Sequence, residues 1–192
     1  MEENNSLSGN SYSHYKFFNP RKILEDIGIF TEGVIVADFG CGAGYFTLPL
    51  AKMVGEKGKI FAIDVLPSAI EIVTSKAESE SLINIKAVRA NLEIPNGSTI
   101  EESSVDSVLL ANILYQSQTG KMDILKEAQR VLKEAGKMVV IGWIPGKTQM
   151  GPAENMRISS EIVRKDAVSL GFKLNKIFEI DPYHYCLIFN KH

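Results

Sequence analysis

The sequence lacks most of the features that mark a secreted, metal-binding or nucleic-acid-binding chain. Only two cysteines occur among its 192 residues. Cys41 and Cys186 stand far apart, without CxxC spacing or a cluster of histidines beside them, so neither a disulfide framework nor a metal site is expected. The formal net charge is -2, which provides no excess of Lys and Arg for a phosphate backbone. Nucleic acid is therefore not an expected partner.

Long hydrophobic runs are also missing. No stretch reaches the roughly 20 apolar residues of a membrane-spanning helix. The first six residues are polar and acidic, where a secretory signal needs a basic start followed by an apolar run. These observations predict a cytoplasmic chain that does not enter a membrane. Residues 1–13 are rich in Ser, Asn and Glu, which predicts a mobile tail ahead of a single domain over residues 14–192.

The rest of the chain alternates between short β-branched runs and longer segments with helical spacing. We predict strands at 34–38, 59–63, 85–88, 105–110 and 138–141, with helices near 45–54, 67–81, 119–133 and 159–170. Two further strands, 174–180 and 184–189, flank Asp181-Pro182, and so short a turn implies an antiparallel pair. The predicted fold class is α/β, a Rossmann-like doubly wound sheet, mostly parallel, of seven strands with an antiparallel C-terminal strand pair.

Signals at two helix ends add detail. Asn19-Pro20 predicts a short helix that continues through Leu24 and Ile27, with Asn19 as the cap. Gly136 is predicted to supply the left-handed cap of the helix at 119–133. An aromatic segment precedes Asn19, and with His14 it either folds over a ligand or packs under the first helix; its aromatic residues are Tyr12, Tyr15, Phe17 and Phe18.

A glycine-rich turn, Gly40-Cys41-Gly42-Ala43-Gly44, joins the first predicted strand to a helical segment. Glycine lets a ligand approach where a Cβ would collide, and free N–H groups at a helix start favour an anionic group. Asp64 ends the next strand twenty residues after Gly44, where an acid can accept both hydroxyls of a ribose. A purely structural turn and a capping Asp64 are the alternatives. Together the two signals predict a nucleotide-like ligand.

The spacing of the turn distinguishes between ligands. A dinucleotide fingerprint would need a small residue at Tyr45, whereas here the third glycine comes one position early. Asp38, two residues before Gly40, is an awkward neighbour for a pyrophosphate but suits a cationic amine. S-adenosylmethionine (SAM) carries both an amine and a sulfonium. The turn therefore favours SAM, with a dinucleotide oxidoreductase as the alternative enzyme.

Residues 36–44 resemble motif I of the class I SAM-dependent methyltransferases, especially the small members similar to the ubiquinone/menaquinone-biosynthesis enzymes. Residues 60–64 resemble motif II, residues 90–95 resemble the loop after strand three, and residues 105–114 resemble motif IV. The whole resemblance covers roughly residues 15–189. It implies that Asp64 holds the ribose, that Val65 and Leu66 flank the adenine, and that Asn91 stands where the family often has Asp. The candidate SAM-binding residues are Asp38, Gly40, Cys41, Gly42, Gly44, Phe46, Asp64, Val65, Leu66, Asn91, Leu92 and Asn112.

The expected reaction is in-line transfer of the methyl group to an unidentified small-molecule acceptor. Because SAM is already activated, the protein mainly has to position the reactants, and a base is needed only when the acceptor keeps a proton. No catalytic residue is therefore assigned. Residues expected to shape the acceptor site at the carboxyl ends of the strands are Tyr45, Asn112, Tyr115, Gln116, Trp143 and Pro145.

Three residues have two interpretations each. Arg157 either binds an anionic substrate or serves in a helix cap or a surface pair. His184 is either a general base or a structural residue. Cys41 resembles a nucleophile but is interpreted as a neutral packing residue, since no His or cation lies nearby in sequence. A non-catalytic SAM-binding or partner-binding module is the alternative to an enzyme, because a fold does not guarantee an activity.

Overall fold

The computed structural model describes residues 18–117, 119–146 and 150–192. The helices are α1 (Pro20–Ile27), α2 (Thr47–Val54), α3 (Pro67–Ser79), α4 (Lys121–Val131) and α5 (Ser160–Ser169). The strands are β1 (Ile35–Phe39), β2 (Lys59–Asp64), β3 (Ile85–Arg89), β4 (Val105–Ala111), β5 (Leu132–Trp143), β6 (Lys173–Asp181) and β7 (His184–Asn190). The predicted tail, the domain boundary before residue 14, and His14, Tyr12, Tyr15 and Phe17 lie outside the described residues.

The strands form one sheet in the order β3-β2-β1-β4-β5-β7-β6. Strands β1 to β5 pair in parallel, and β7 is antiparallel to both β5 and β6. The predicted α/β fold is confirmed, including the C-terminal pair. The parallel strands end at one edge of the sheet, the carboxyl edge. Because β7 runs the other way, its first residue, His184, lies at that same edge, opposite Trp143.

The core consists of two apolar layers, one on each face of the sheet. Ile124 of α4 and Val163 of α5 belong to one layer, while Leu24 of α1 and Leu50 of α2 belong to the other. Such burial on both faces explains why the central strands are nearly continuous apolar runs. Among the helices in the described ranges, none has the length and apolarity needed to cross a bilayer.

Helix α1 begins as its sequence predicts. The side chain of Asn19 accepts a hydrogen bond from the N–H of Lys22 at 3.2 Å, and Pro20 occupies the first turn. The helix also ends at a local signal, because Gly28 adopts a left-handed conformation with φ 72° and caps it. This capped helix brings Phe18, just before it, to the carboxyl edge beside Tyr45.

The prediction for the end of α4 is wrong. The helix ends at Val131, and the residue with left-handed φ, 59°, is Ala135 rather than Gly136. The chain enters β5 directly at Leu132, which pairs with Val105, so no glycine cap forms. A Cβ on Gly136 would lie 2.8 Å from the carbonyl oxygen of Lys133. Glycine is needed there for this close backbone approach, not for a left-handed cap.

Candidate functional site

A cavity of about 470 Å³ opens at the carboxyl edge of the sheet. Four connections form its walls: the glycine turn after β1, the residues after β2, the loop after β3 and the segment between β4 and α4. The volume lies within the range of small-molecule sites. Seven of the candidate SAM-binding residues line it: Gly40, Gly42, Asp64, Val65, Leu66, Asn91 and Leu92.

The glycine turn depends on positive backbone angles. Gly40, Gly42 and Gly44 have φ values of 74°, 50° and 83°. The N–H of Gly40 donates to the carbonyl oxygen of Ile63 at 2.8 Å, which fastens the turn to the end of β2. A Cβ on Gly40 would lie 2.5 Å from Cδ1 of Ile113, but a Cβ on Gly42 would meet no atom of the described residues within 4 Å. Gly40 therefore serves packing, whereas Gly42 leaves open space beside the cavity.

Asp64 connects two walls of the cavity. Its Oδ2 accepts the N–H of Gly42 at 2.9 Å, and its Oδ1 accepts the N–H of Leu66 at 2.9 Å. Asp64 therefore has the structural role in the turn that was the alternative interpretation. Because an ionised carboxylate has about four lone-pair sites, Asp64 retains acceptors for ribose hydroxyls as well. The next two side chains, Val65 and Leu66, are 53% and 58% exposed on the cavity wall, which suits the flat face of a base.

Asp38 lies beneath the glycine turn and is 2% exposed. Oγ1 of Thr47 donates to its Oδ2 at 2.6 Å. Burial raises the pKa of Asp38 to about 6, against the lowering effect of the Thr47 hydrogen bond, and the charge of Asp64 adds to the rise. A cationic amine placed above the turn would stabilise the ionised form of such a carboxyl group.

The remaining candidates lie around the cavity rather than on its wall. Cys41 is buried, and burial, with the charges of Asp38 and Asp64, raises its thiol pKa. It therefore carries a neutral thiol, in agreement with a packing role. Gly44 faces Val73, because a Cβ on Gly44 would lie 3.2 Å from Cγ2 of that side chain. Phe46 packs in the α1–α2 layer of the core.

Asn112 begins the segment after β4 with an unusual backbone. Its φ is 56°, and its N–H donates to the carbonyl oxygen of Ile141 at 2.9 Å. Its Oδ1 is buried and has no hydrogen-bond partner in the described part of the chain. The amide of Gln116 donates to the carbonyl oxygen of Asn112 at 3.0 Å, which turns this segment toward the cavity.

Six lining residues were not predicted as SAM-binding. Oγ of one of them, Ser117, is buried without a hydrogen-bond partner among the residues described, so a ligand can supply one. The signal that could have located Ser117 is its place a few residues beyond the carboxyl end of β4. The six are Ala90, Glu93, Ile113, Gln116, Ser117 and Ile124.

A second group of side chains lies at the same edge of the sheet. We call it the aromatic cluster: Phe18, Tyr45, Phe46, Trp143 and His184. The ring of His184 lies 4.0 Å from that of Trp143 and 4.3 Å from that of Phe18, measured between centroids. Phe18 stacks on Tyr45 at 5.9 Å. The cluster thus runs from the glycine turn to the start of β7.

The structure divides the candidate acceptor-site residues among three places. Tyr45 and Trp143 belong to the aromatic cluster, and Gln116 lines the large cavity. Tyr115 and Asn112 border, with Trp143, a separate void of only about 10 Å³. Pro145 lines neither the cavity nor this void.

Arg157 is the C-cap residue of the short 3-10 helix Glu154–Met156, where its N–H donates to the carbonyl oxygen of Glu154 at 3.1 Å. This agrees with the helix-cap interpretation, and the side chain has a further role. It is buried, and its guanidinium lies 5.5 Å from the centroid of the Trp143 ring. Most of its N–H donors are used by backbone carbonyl groups, so they hold the loop after β5. These carbonyl groups belong to Ile144, Gly146, Met150 and Pro152.

Comparison with known proteins gives consistent matches. The family model described as "Methyltransferase domain" matches residues 30–180. Demethylmenaquinone methyltransferase of Staphylococcus aureus (strain MRSA252) is 30% identical over 132 residues, which cover 68% of this chain and 51% of the relative. The Lactococcus lactis protein of the same name is 31% identical over 121 residues, covering 62% and 46%. The chain spans about half the length of these curated relatives.

Solved structures agree with this match. A SAM-dependent methyltransferase from Aquifex aeolicus has a TM-score of 0.84 and 27% identity, covering 94% of each chain. A putative type 11 methyltransferase from Sulfolobus solfataricus has a TM-score of 0.74 and 26% identity, covering 92% of this chain and 94% of the other.

The chain belongs to the class I SAM-dependent methyltransferases, and its cofactor is SAM. Within that class it is similar to the menaquinone-type enzymes. The residues present fit this cofactor. Gly42 leaves room for a ligand, Asp64 has acceptors to spare, and the Oγ of Ser117 has no hydrogen-bond partner among the described residues on the cavity wall.

Proposed function

We propose that this protein transfers a methyl group from SAM to a small-molecule acceptor. The main support is the cavity that Gly42, Asp64 and Leu66 line together. Bound SAM supplies a methyl group activated by its sulfonium. In this proposal Asp64 holds the ribose hydroxyls, Val65 and Leu66 cover the adenine, and the ionised Asp38 attracts the amine.

The remaining candidate residues have supporting roles in the proposal. Gly40 and Gly44 shape the turn, and Cys41 packs beneath it. Asn91 and Leu92 form the adenine side of the cavity, since they share it with Leu66. Phe46 supports the turn from the core. Asn112 faces the methionine part of SAM from the end of β4.

We further propose that the acceptor is a quinone-type aromatic molecule in its reduced, hydroxyl-bearing form. The curated relatives carry the name demethylmenaquinone methyltransferase. The aromatic cluster supplies flat apolar faces beside the glycine turn, and aromatic rings stack favourably on such surfaces.

Two measurements test the function. Calorimetry with S-adenosylhomocysteine and with NAD should show binding of the first alone, and binding of NAD alone would overturn the proposal. Incubation with radiolabelled SAM and a panel of reduced quinones and other metabolites should then give a labelled product. Tight SAM binding with no transfer to any acceptor would favour the non-catalytic module instead.

A further inference from the structure

A carboxylate outside the expected set of SAM-binding residues lies on the wall of the SAM cavity. It belongs to Glu93, in the loop after β3. Asp64 and Glu93 are the ionisable residues among the described ones that line the cavity, and none of those lining residues carries a positive charge. Carboxylates accept hydrogen bonds and attract cations. The cavity therefore favours a ligand that presents donors in two places, one at each carboxylate.

The pairing of β2 with β3 places Glu93 relative to the proposed SAM. Asp64 is opposite Arg89 in this parallel pair, and the N–H of Ala90 donates to the carbonyl oxygen of Asp64 at 2.9 Å. The glycine turn follows β1, on the other side of β2. With the ribose at Asp64 and the amine near Asp38, the adenine lies on the side of the loop that leads to Glu93.

The carboxyl group of Glu93 reaches the start of α4. A Cβ on Gly120 would lie 2.6 Å from both Cδ and Oε2 of Glu93, and 2.6 Å from Oγ of Ser117. Because Gly120 has no side chain, the carboxylate fits beside Ser117, which also lines the cavity. Within the described ranges the carboxylate of Glu93 makes no hydrogen bond or ion pair. Its oxygens are therefore available as acceptors.

Asn91 is the other polar residue of this loop that lines the cavity. Its Oδ1 accepts the N–H of Glu93 at 2.9 Å, so the oxygen is directed at the backbone of its own loop. The rest of the amide is an NH2 group, which only donates. A ligand amino group also donates, and it binds more strongly to a charged acceptor than to a neutral one. Glu93 supplies that acceptor, while Asn91 shapes the loop.

We propose that Glu93 recognises the adenine of SAM by accepting a hydrogen bond from its exocyclic amino group. The inference rests on the proposed placement of SAM in the cavity. Asn91 is a positioning residue, because its bond to the N–H of Glu93 fixes the loop that carries the carboxylate. Glu93 is thus the residue that makes the cavity specific for a purine with an amino group.

A double-mutant cycle measured by calorimetry tests the contact. The ligands are S-adenosylhomocysteine and its purine analogue, which has a hydrogen atom in place of the amino group. The wild type should bind S-adenosylhomocysteine about 10- to 100-fold more tightly than the analogue, because hydrogen bonds to charged groups are the strong ones. Glu93→Ala should bind both ligands with similar affinity, close to that of the wild type for the analogue. A variant that loses affinity for both ligands by the same factor would show a structural role and overturn the inference.

Two further variants complete the cycle. Glu78→Ala changes an exposed glutamate of α3 and should keep the wild-type ratio of affinities. Asn91→Ala should weaken both ligands alike, because it loosens the loop, and should keep the ratio as well. A ratio that falls in Asn91→Ala and not in Glu93→Ala would assign the amino group to Asn91 and overturn the inference.

Calorimetry measures binding alone, so the inference and the proposed function can fail separately. Equal affinity of the wild type for the two ligands would overturn the role of Glu93 and leave methyl transfer intact. A ratio that depends on Glu93, together with no transfer to any acceptor, would support the role of Glu93 and overturn the proposed function.

Discussion

The Asp64 carboxylate and the Gly42 N–H are joined by a hydrogen bond of 2.9 Å. This bond connects the end of β2 to the middle of the glycine turn after β1. The other carboxylate oxygen accepts the N–H of Leu66, so one side chain sets the spacing of two cavity walls. The glycine turn and Asp64, which follows Gly44 by twenty residues in sequence, are thus joined before any ligand binds.

Replacing Asp64 should weaken SAM binding more than it weakens the fold. In Asp64→Asn the amide oxygen retains only one of the two backbone bonds, and the NH2 group cannot accept a ribose hydroxyl. We expect the Kd measured by calorimetry to rise about 10- to 100-fold, because charge-assisted hydrogen bonds contribute roughly 1.5–3 kcal/mol each. Asp26→Asn, on the exposed face of α1, is the control. Equal affinities in all three proteins would contradict the assigned role.

Gly42 and Gly33 form a matched pair for testing the cavity. Both have positive φ, 50° and 84°, and a Cβ on either would meet no atom of residues 18–117, 119–146 or 150–192 within 4 Å. Each change to Ala should therefore cost a similar roughly 1–2 kcal/mol of unfolding free energy from backbone strain. Only the Cβ of Gly42→Ala stands beside the SAM cavity, so that variant alone should lose affinity in calorimetry. Loss of affinity in Gly33→Ala as well would assign the effect to the fold.

Local sequence patterns were sufficient for most of the fold. β-branched runs predicted the five parallel strands, and the turn at Asp181-Pro182 predicted the antiparallel pair. The Asn19-Pro20 signal predicted the start of α1. All three signals depend on short-range preferences. The glycine signal at Gly136 was overridden by a tertiary contact, the pairing of Leu132 with Val105.

The sequence predicted the site residues that directly follow a strand. It missed the residues that reach the cavity through tertiary packing. Asp64 and Leu66 follow β2 directly, so their place at the carboxyl edge follows from strand direction. Ile113 and Ile124 reach the cavity only because the segment after β4 and helix α4 fold back over it. Sequence spacing does not reveal such a fold-back.

Glu127 should be the main electrostatic support of the loop that carries Asn91. Its Oε1 accepts the N–H of Ser98 at 3.0 Å and the guanidinium of Arg130 at 2.7 Å. Arg130 in turn donates to the carbonyl oxygen of Ile100 at 2.8 Å. Because Glu127→Ala leaves several buried donors unpaired, it should reduce the free energy of unfolding by about 3 kcal/mol in urea titrations. Affinity for SAM should fall with it.

The pH dependence of this effect has a definite sign. Burial alone would raise the pKa of Glu127, but the bonds from Arg130 and Ser98 outweigh it and lower the pKa. The stabilisation is therefore present above the unfolded pKa of 4.5 and is lost as pH falls through the lower folded value. Glu161→Ala removes a similar Glu–Arg pair, but an exposed one, and should leave the urea midpoint near that of the wild type. Equal losses in both variants would contradict the assigned role.

Asp38 should stabilise SAM binding while destabilising the ligand-free fold. Its folded pKa of about 6 exceeds the reference value of 3.8, so the folded state binds the proton more tightly than the unfolded state does. The free energy of unfolding therefore falls as pH rises from about 4 to 6, by up to ~3 kcal/mol from this group. Asp38→Asn keeps an acceptor for Thr47 and should remove this decrease, raising the thermal midpoint at pH 7.

Affinity for SAM should show the opposite trend. Above pH 6 the ionised Asp38 attracts the SAM amine, so wild-type affinity should rise through that pH, whereas Asp38→Asn should bind weakly with little change across it. Calorimetry at pH 5, 6 and 7.5 measures the difference between the two proteins, which removes contributions from other groups. A variant that binds SAM as tightly as the wild type at pH 7.5 would show that the buried carboxyl group serves the turn alone. The expected combination, a more stable but weaker-binding variant, would show that ionised Asp38 is retained for the ligand.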